Sequence, residues 1–325
     1  MGAGMDGSPA KLLAAAPQGP PAIGAIFSDM DGTIVHYPEA QAEHGSWGET
    51  SPSGRGLQFT AADTGEEAEI LLLPPSVSTG VQGLISFRTL QLVRDIRARG
   101  VKFVVISGCR FATMMTRLPW LPASDAIVME NGGRIFLRDP AGLCTTALVE
   151  DMAWRARMDH AAGPAAQDKL KPEAREGVLW DFYRRLAAEG WKLDTTSYTT
   201  MFRLKTKGAK TEADLQRVLR EVPDGIKCSV NLGCTDFYPA GSGKECAVDY
   251  LLAKFNVAPE AAVTMCDDNN DLGMAARTGH TYCPKISHAS LAAAIEADPA
   301  SFTVAKRGGT FASDEVLEKI LSQVQ

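Results

Sequence analysis

One short apolar run, residues 22–28, constrains this chain more than any other feature, because it ends in Asp29-Met30-Asp31-Gly32-Thr33. A run of that length reads as a strand buried on both faces, which belongs in a parallel sheet covered by helices. Acids at its C-terminal end lie where such sheets carry chemistry. If residues 29–31 stay extended, Asp29 and Asp31 share one side while Met30 faces away, and Gly32 lets the chain turn sharply. Two like charges so close call for a cation or a shared proton.

The segments that follow repeat the strand-helix alternation of a parallel sheet. Helical spacing over 86–99 is stopped by Gly100, strands are expected at 101–106 and 126–129, and a helix runs through Met114 and Met115 between them. After Glu130-Asn131-Gly132-Gly133 the pattern changes. Short strands at 134–137 and 200–205 alternate with polar helices at 177–189 and 210–222, which marks a separate α+β unit. The parallel grammar returns with a helix at 244–255, a strand at 262–266, a helix at 271–278, a strand at 281–283 and a closing helix at 314–324. With 325 residues the chain is long for one core and comfortable for two units. The expected fold class is α/β, a Rossmann-like parallel-sheet core of residues 22–132 plus 241–325 with an inserted α+β unit at 133–240. Residues 1–21 read as a leader. Residues 37–78, rich in Glu, Gly, Ser and Pro with an apolar island at 70–73, read as a long inserted loop with a hairpin, placed like a lid.

Three further groups fall at strand or helix ends. Asp267, Asp268 and Asp271 follow the strand at 262–266, Ser107-Gly108 ends the strand at 101–106, and Lys244 opens a helix after Gly241-Ser242-Gly243. Each has an ordinary reading, as a solvated acid pair, a helix cap, a turn hydroxyl or a surface charge. Their common placement argues instead for one anion site in which acids, hydroxyl, backbone N–H groups, lysine and a hard cation surround a phosphoryl group. Oxygen ligands of this kind suit magnesium.

Bulk properties narrow the partners. A formal net charge of −6 offers no basic excess for a nucleic-acid backbone or an anionic membrane, and no segment is long and apolar enough to span a bilayer. Seven cysteines without metal-like or disulfide-framework spacing fit reduced thiols, hence a cytoplasmic protein, or an organelle stroma if a targeting peptide has been removed. His160 and His280 have no ligand partners that would suggest zinc.

The four segments together resemble the motifs of the haloacid dehalogenase-like phosphatase superfamily: Asp29-Met30-Asp31-Gly32-Thr33, Val105-Ile106-Ser107-Gly108, Pro239-Ala240-Gly241-Ser242-Gly243-Lys244, and Cys266-Asp267-Asp268-Asn269-Asn270-Asp271. Cys266 stands where that family generally has Gly, and the arginine that often follows the second motif is displaced by one position, to Arg110. The resemblance implies that Asp29 attacks phosphorus and that Asp31 protonates the leaving oxygen and later activates water. It implies that Ser107, Gly108 and Lys244 hold phosphoryl oxygens. Asp29, the carbonyl of Asp31, Asp267 and Asp271 would hold Mg2+, with Thr33 and Asn270 in support.

The insertion sits where that family carries a large C2 cap, and its mixture of strands and helices is similar to the C2B subgroup that includes sucrose-phosphatase and related sugar-phosphatases. The implied substrate is a small phosphorylated metabolite, most simply a sugar phosphate. Asn131, Arg134, Arg203, Lys205 and Lys207 are candidate leaving-group contacts, although Arg203, Lys205 and Lys207 alternate like the solvated face of a strand. Trp180, Phe182, Tyr183 and Trp191 fit either a sugar-stacking surface or ordinary cap packing. A phosphosugar mutase uses the same aspartate chemistry and stays open at this level, as does a noncatalytic metabolite-binding protein on the same fold. A nucleotide-binding phosphate loop fails, because Tyr238 and Glu245 occupy positions that need Gly and Ser or Thr. Monomer and homodimer are not distinguished.

Overall fold

The computed structural model of the chain describes residues 22–77, 79–139, 148–205, 210–231 and 234–324. The expected leader and Lys207 lie outside them. Eight strands form the central sheet in the order Phe302–Val304, His280–Cys283, Ala262–Met265, Ala25–Asp29, Lys102–Ile106, Ala126–Met129, Arg134–Arg138, Leu148–Glu150. The first six run parallel, and the last two are antiparallel additions at one edge.

Period-two alternation divides this sheet between two cores. Ala25 and Phe27 pack with Ala247, Val248 and Leu251 of the helix Lys244–Phe255. Ile26 faces the other way, against Leu92, Val93 and Ile96 of Phe87–Ala98 and Val316, Leu317 and Ile320 of Thr310–Gln323. Burial on both faces is why the first strand reads as continuously apolar, each large side chain contributing about 1.5–3 kcal/mol.

The inserted α+β unit has its own antiparallel sheet, ordered Leu193–Asp194, Phe202–Lys205, Cys234–Pro239, Ile226–Asn231. Against it lies the helix Val178–Ala188. Phe202 stacks on Phe237 with centroids 5.2 Å apart, and Phe182 meets Phe237 edge-on at the same 5.2 Å separation. Trp180, Phe182, Tyr183 and Trp191 are all buried, so these rings build the cap's core and offer no stacking surface to a sugar.

Two expectations need correction. The strand near 134–137, assigned from sequence to the insertion, belongs to the central sheet, paired antiparallel with Ala126–Met129. The reason is local: Glu130, Asn131 and Gly132 have φ of 55°, 52° and 91°, a left-handed run that reverses the chain onto the strand it has just left. The inserted loop at 37–78 is in fact most of a third sheet, four antiparallel strands Gly45–Thr50, Leu57–Ala61, Glu67–Pro75 and Gln82–Ser86. Its outer strand is exposed, and its small core of Phe59, Ala61, Ile70, Leu84 and Phe311 leans on the C-terminal helix. That strand's Gly, Ser, Glu and Thr residues gave no periodic signal.

The C-terminal helix is tied to this flap and to the first loop by buried polar contacts. Gln41 accepts from the Thr310 N–H at 2.9 Å. Ser313 donates its one proton to the Thr33 carbonyl at 2.5 Å, so His36 Nε2, 2.7 Å from Ser313 Oγ, must be the donor in that second contact. Burial holds the His36 pKa far down, to about 3, which keeps the ring neutral. Asp314 accepts from Ser86 at 2.8 Å and from Thr89 at 2.6 Å, yet its burial raises its pKa to about 6.

The folded chain therefore holds the Asp314 proton at pH values where the unfolded chain has released it. Stability from this group is present below about pH 4 and is lost as pH rises toward about 6, by on the order of 2 kcal/mol. Asp314→Asn should remove this dependence: the wild-type melting temperature minus that of the variant should be more positive at pH 5 than at pH 7. A difference that grows with pH would contradict the assignment.

Candidate active site

Register puts the proposed site residues together. Ser28 lies beside Met265 and Asp29 beside Ile106, so Asp267 and Ser107 fall just past the ends of the two strands that flank the first. Lys244 is the first residue of its helix, entered through Gly243. Its ammonium is 2.5 Å from Asp29 Oδ1 and 2.5 Å from Asp271 Oδ1, with all three groups buried. Carboxylate oxygens of Asp29, Asp267 and Asp271 lie within 4.8 Å of one another, and this is the one cluster of metal-ligating type found among the described residues. Asp267 is held from two sides, by Thr33 Oγ1 at 3.1 Å and Ser287 Oγ at 2.7 Å.

The electrostatics follow from crowding in a buried place. Burial, reinforced by the neighbouring Asp271 and Asp31 charges, pushes Asp29 up to about 7 against the pull of Lys244. Burial and then Asp29 push Asp267 to about 7, and burial raises Asp271 as well. Burial opposes the Lys244 charge, but Asp271 and Asp29 outweigh it and its pKa rises. One ammonium does not neutralise three carboxylates, and Asp271 Oδ2 is buried with no hydrogen-bond partner among the described residues. The donor set is all hard oxygen, so these residues fit a magnesium-sized cation.

Two glycines are obligatory for this arrangement. Gly32 has φ +90°, and a Cβ there would lie 2.3 Å from Asp267 Oδ2. Gly132, with φ +91°, faces Gly243 so closely that a Cβ would meet its carbonyl oxygen at 2.3 Å. At that point the turn between the strands Ala126–Met129 and Arg134–Arg138 touches the chain returning from the insertion, joined by Gly243 N–H donating to the Asn131 carbonyl at 2.8 Å.

Above the acids opens a cleft of about 270 Å³. Asp29, Asp31, Ser107, Gly108 and Asn270 line its floor, Tyr198 and Arg203 its cap side, and Tyr37, Ser76 and Thr79 its flap side. Ser107 Oγ accepts from the Cys109 N–H at 3.1 Å, which fixes the turn after its strand.

Of the leaving-group contacts suggested by sequence, Arg203 reaches this cleft while forming a two-pronged pair with Asp236 at 2.6 and 2.7 Å. The others are engaged elsewhere. Arg134 pairs with Glu150 at 2.6 Å and lies over the rings of Phe111 and Phe136. Buried Asn131 donates to Asp236, and exposed Lys205 pairs with Asp194 at 3.4 Å. None of these three lines the cleft.

Other residues at the cleft gave no sequence signal. Tyr37 donates to Asp31 at 2.6 Å, and Arg117 donates to the same oxygen at 2.8 Å. Arg110, one position late for the family pattern, pairs with Asp194 of the cap at 3.0 Å. A lone arginine at a helix end and a tyrosine before a Pro carry nothing by spacing alone. The shape of the fold brings them in.

A parallel α/β core with acids, serine and lysine at its carboxyl edge, covered by an inserted α+β cap, defines a haloacid dehalogenase-like phosphatase. More particularly, the family model for sucrose-6F-phosphate phosphohydrolase matches residues 82–283, and the chain belongs to that family. No curated protein sequence matches it. Among solved structures it is similar to a sucrose-phosphatase from Synechocystis determined with sucrose and phosphate, at 13% identity and TM-score 0.58, over 92% of this chain and 98% of that one. A Thermoplasma acidophilum protein gives 13% and 0.57 over 92% and 98%. A phosphatase of the same superfamily from Bacteroides thetaiotaomicron gives 14% and 0.55 over 94% and 98%. Identities this low establish the shared fold. No helix among the described residues is long and apolar enough to cross a membrane.

Gly32→Ala should cost about 1–3 kcal/mol through backbone strain and displace Asp267. Denaturant unfolding and magnesium titration on the same preparation check both effects. Unchanged stability together with unchanged cation affinity would show that the close approach is relieved elsewhere.

Proposed function

We propose that this phosphatase hydrolyses the phosphomonoester of a small metabolite, a sugar phosphate, with Asp29 as nucleophile, Asp31 as acid and base, and magnesium at Asp29, Asp267, Asp271 and the Asp31 carbonyl. The observation that carries the reading is the buried Lys244 ammonium held between Asp271 and Asp29, the latter on the floor of the cleft. An ammonium so placed favours the ionised Asp29 that attacks, against the burial that opposes it, and stands where it offsets charge on transferred phosphoryl oxygens. Ser107 and the backbone at Gly108 supply further donors to those oxygens. Bound magnesium would neutralise the remaining carboxylate charge and polarise the phosphoryl group.

The reaction divides in two. Asp29 forms a bond to phosphorus as the leaving oxygen departs with a proton from Asp31. Asp31 then takes a proton from the water that cleaves the aspartyl-phosphate, which returns both acids to their starting state. We assign the cap to the segment between the central-sheet strand Leu148–Glu150 and the Lys244 helix, so that specificity lies with Tyr198, Arg203 and the flap residues facing them. The sugar-phosphate assignment is supported by the matched family and by the Synechocystis relative's complex with sucrose and phosphate.

A phosphate-release screen over sugar phosphates, nucleotides and glyceryl phosphates with magnesium tests the substrate class, compared as kcat/KM. Highest efficiency on a nucleotide would overturn the sugar assignment. Release of free phosphate without a bisphosphate activator separates hydrolysis from mutase chemistry. Asp29→Asn should lower release at least ~1000-fold and abolish the trapped phosphoenzyme. Magnesium should raise the melting temperature of the wild type and not of Asp267→Asn, as expected when a cation binds only the folded site.

A further inference from the structure

Arg117 is 1% exposed, and its Nε and Nη2 have no hydrogen-bond partner among the described residues. Burying a guanidinium with open donors is unfavourable, and a purely architectural arginine is normally saturated. What it does hold is the carboxylate of Asp31, through Nη1 to Oδ1 at 2.8 Å. Tyr37 donates to that same oxygen at 2.6 Å. Both donors thus engage Oδ1, and the side chain stays 27% exposed toward the cleft.

The surroundings are shaped for this guanidinium. Gly83, in the flap strand Gln82–Ser86, lies over it, and a Cβ there would fall 3.3 Å from Nη2 and 2.9 Å from Val35. The helix Phe111–Arg117 that carries it is pinned at its start to the cap. Arg110 binds Asp194 and the Thr196 carbonyl at 3.0 Å each, and the Phe111 N–H reaches the Ser197 carbonyl at 3.2 Å. One short helix therefore has its first turn on the cap and its last residue on the acid.

We propose that Arg117, assisted by Tyr37, is the positioning residue for Asp31, clamping Oδ1 so that Oδ2 is the oxygen that exchanges protons with the leaving group and with water. This rests on the acid-base reading of Asp31. In the first half-reaction the Asp29–phosphorus bond forms, the bond from phosphorus to the leaving oxygen breaks, and the Oδ2 proton passes to that oxygen. In the second, water gives its proton back to Oδ2 as it attacks phosphorus and frees Asp29. A clamp on Oδ1 leaves this circuit intact and removes the rotational freedom that would misplace it.

The test exploits leaving groups that differ in their need for a proton. Rapid-quench formation of the aspartyl-phosphate is measured for the full chain with p-nitrophenyl phosphate, whose phenolate departs unaided, and with the sugar phosphate turned over fastest in the screen. For Arg117→Lys the sugar phosphate should slow by about 30-fold or more and the aryl phosphate by less than about 3-fold, with KM for both little changed. Tyr37→Phe should show the same bias more weakly, and it carries the test if the buried Arg117→Lys chain does not fold. Equal loss for the two leaving groups, or an effect confined to KM, would overturn the positioning role. Asp31→Asn separates the two levels: if it forms phosphoenzyme from the sugar phosphate at the wild-type rate, the acid-base reading fails before the clamp is in question.

Discussion

Three buried carboxylates around one ammonium set the terms for the rest of this molecule. Asp29, Asp267 and Asp271 repel one another, and Lys244 answers only part of that charge at 2.5 Å from two of them. Such a cluster survives only if rigid neighbours over-determine it, because any freedom would let water or counter-charge relieve it. The parallel sheet supplies the rigidity. The strand that carries Asp29 is bonded on both sides, and the acids and the serine stand at adjacent strand ends with no long loop between them.

The connections that leave this edge are tight for the same reason. Gly32 bends the chain beneath Asp267, and Gly132 lets the turn after Ala126–Met129 touch the returning chain at Gly243. Beside that contact, Glu130 is wholly buried and accepts from the backbone N–H groups of Thr199 and Thr200 in the cap at 2.9 and 2.7 Å. Its carboxyl is pushed up by burial, with Arg134 and these donors opposing the rise. The junction of cap and core is thus a polar, closely packed joint. The residue after Gly243 is Lys244, so this joint adjoins the acidic site along the chain.

How much of this was legible depended on whether a residue's role is encoded locally. The strand at 25–29, the helices after Ser86 and Gly243, and the four acidic, serine and lysine motifs were readable because apolar period, cap residues and motif spacing all agree over a few residues. The flap sheet was hidden, since its outer strand buries almost nothing and its small outer core closes against Phe311, some 250 residues on. Arg134 stood among the candidate leaving-group contacts. Tertiary structure turned it instead toward Glu150 and two aromatic rings. Arg117, Tyr37 and Tyr198 were silent because their importance lies in what faces them across the cleft.

That contrast says where specificity can vary in a chain of this family without disturbing catalysis. Under the proposed function, the phosphoryl end of the cleft is made of groups locked by register and close glycines, so substitution there breaks the charge balance on which the cluster depends. On that reading the leaving-group end is made by two separately built pieces, the cap at Tyr198 and Arg203 and the flap at Ser76 and Thr79, whereas Tyr37 and Arg117 hold Asp31 and belong with the locked groups. Side chains at these two places can change without touching the strand register that aligns the acids. The four-stranded flap contributes one wall of the cleft, so on the proposed reading the leaving group meets a surface made jointly by flap and cap, and neither alone determines its shape.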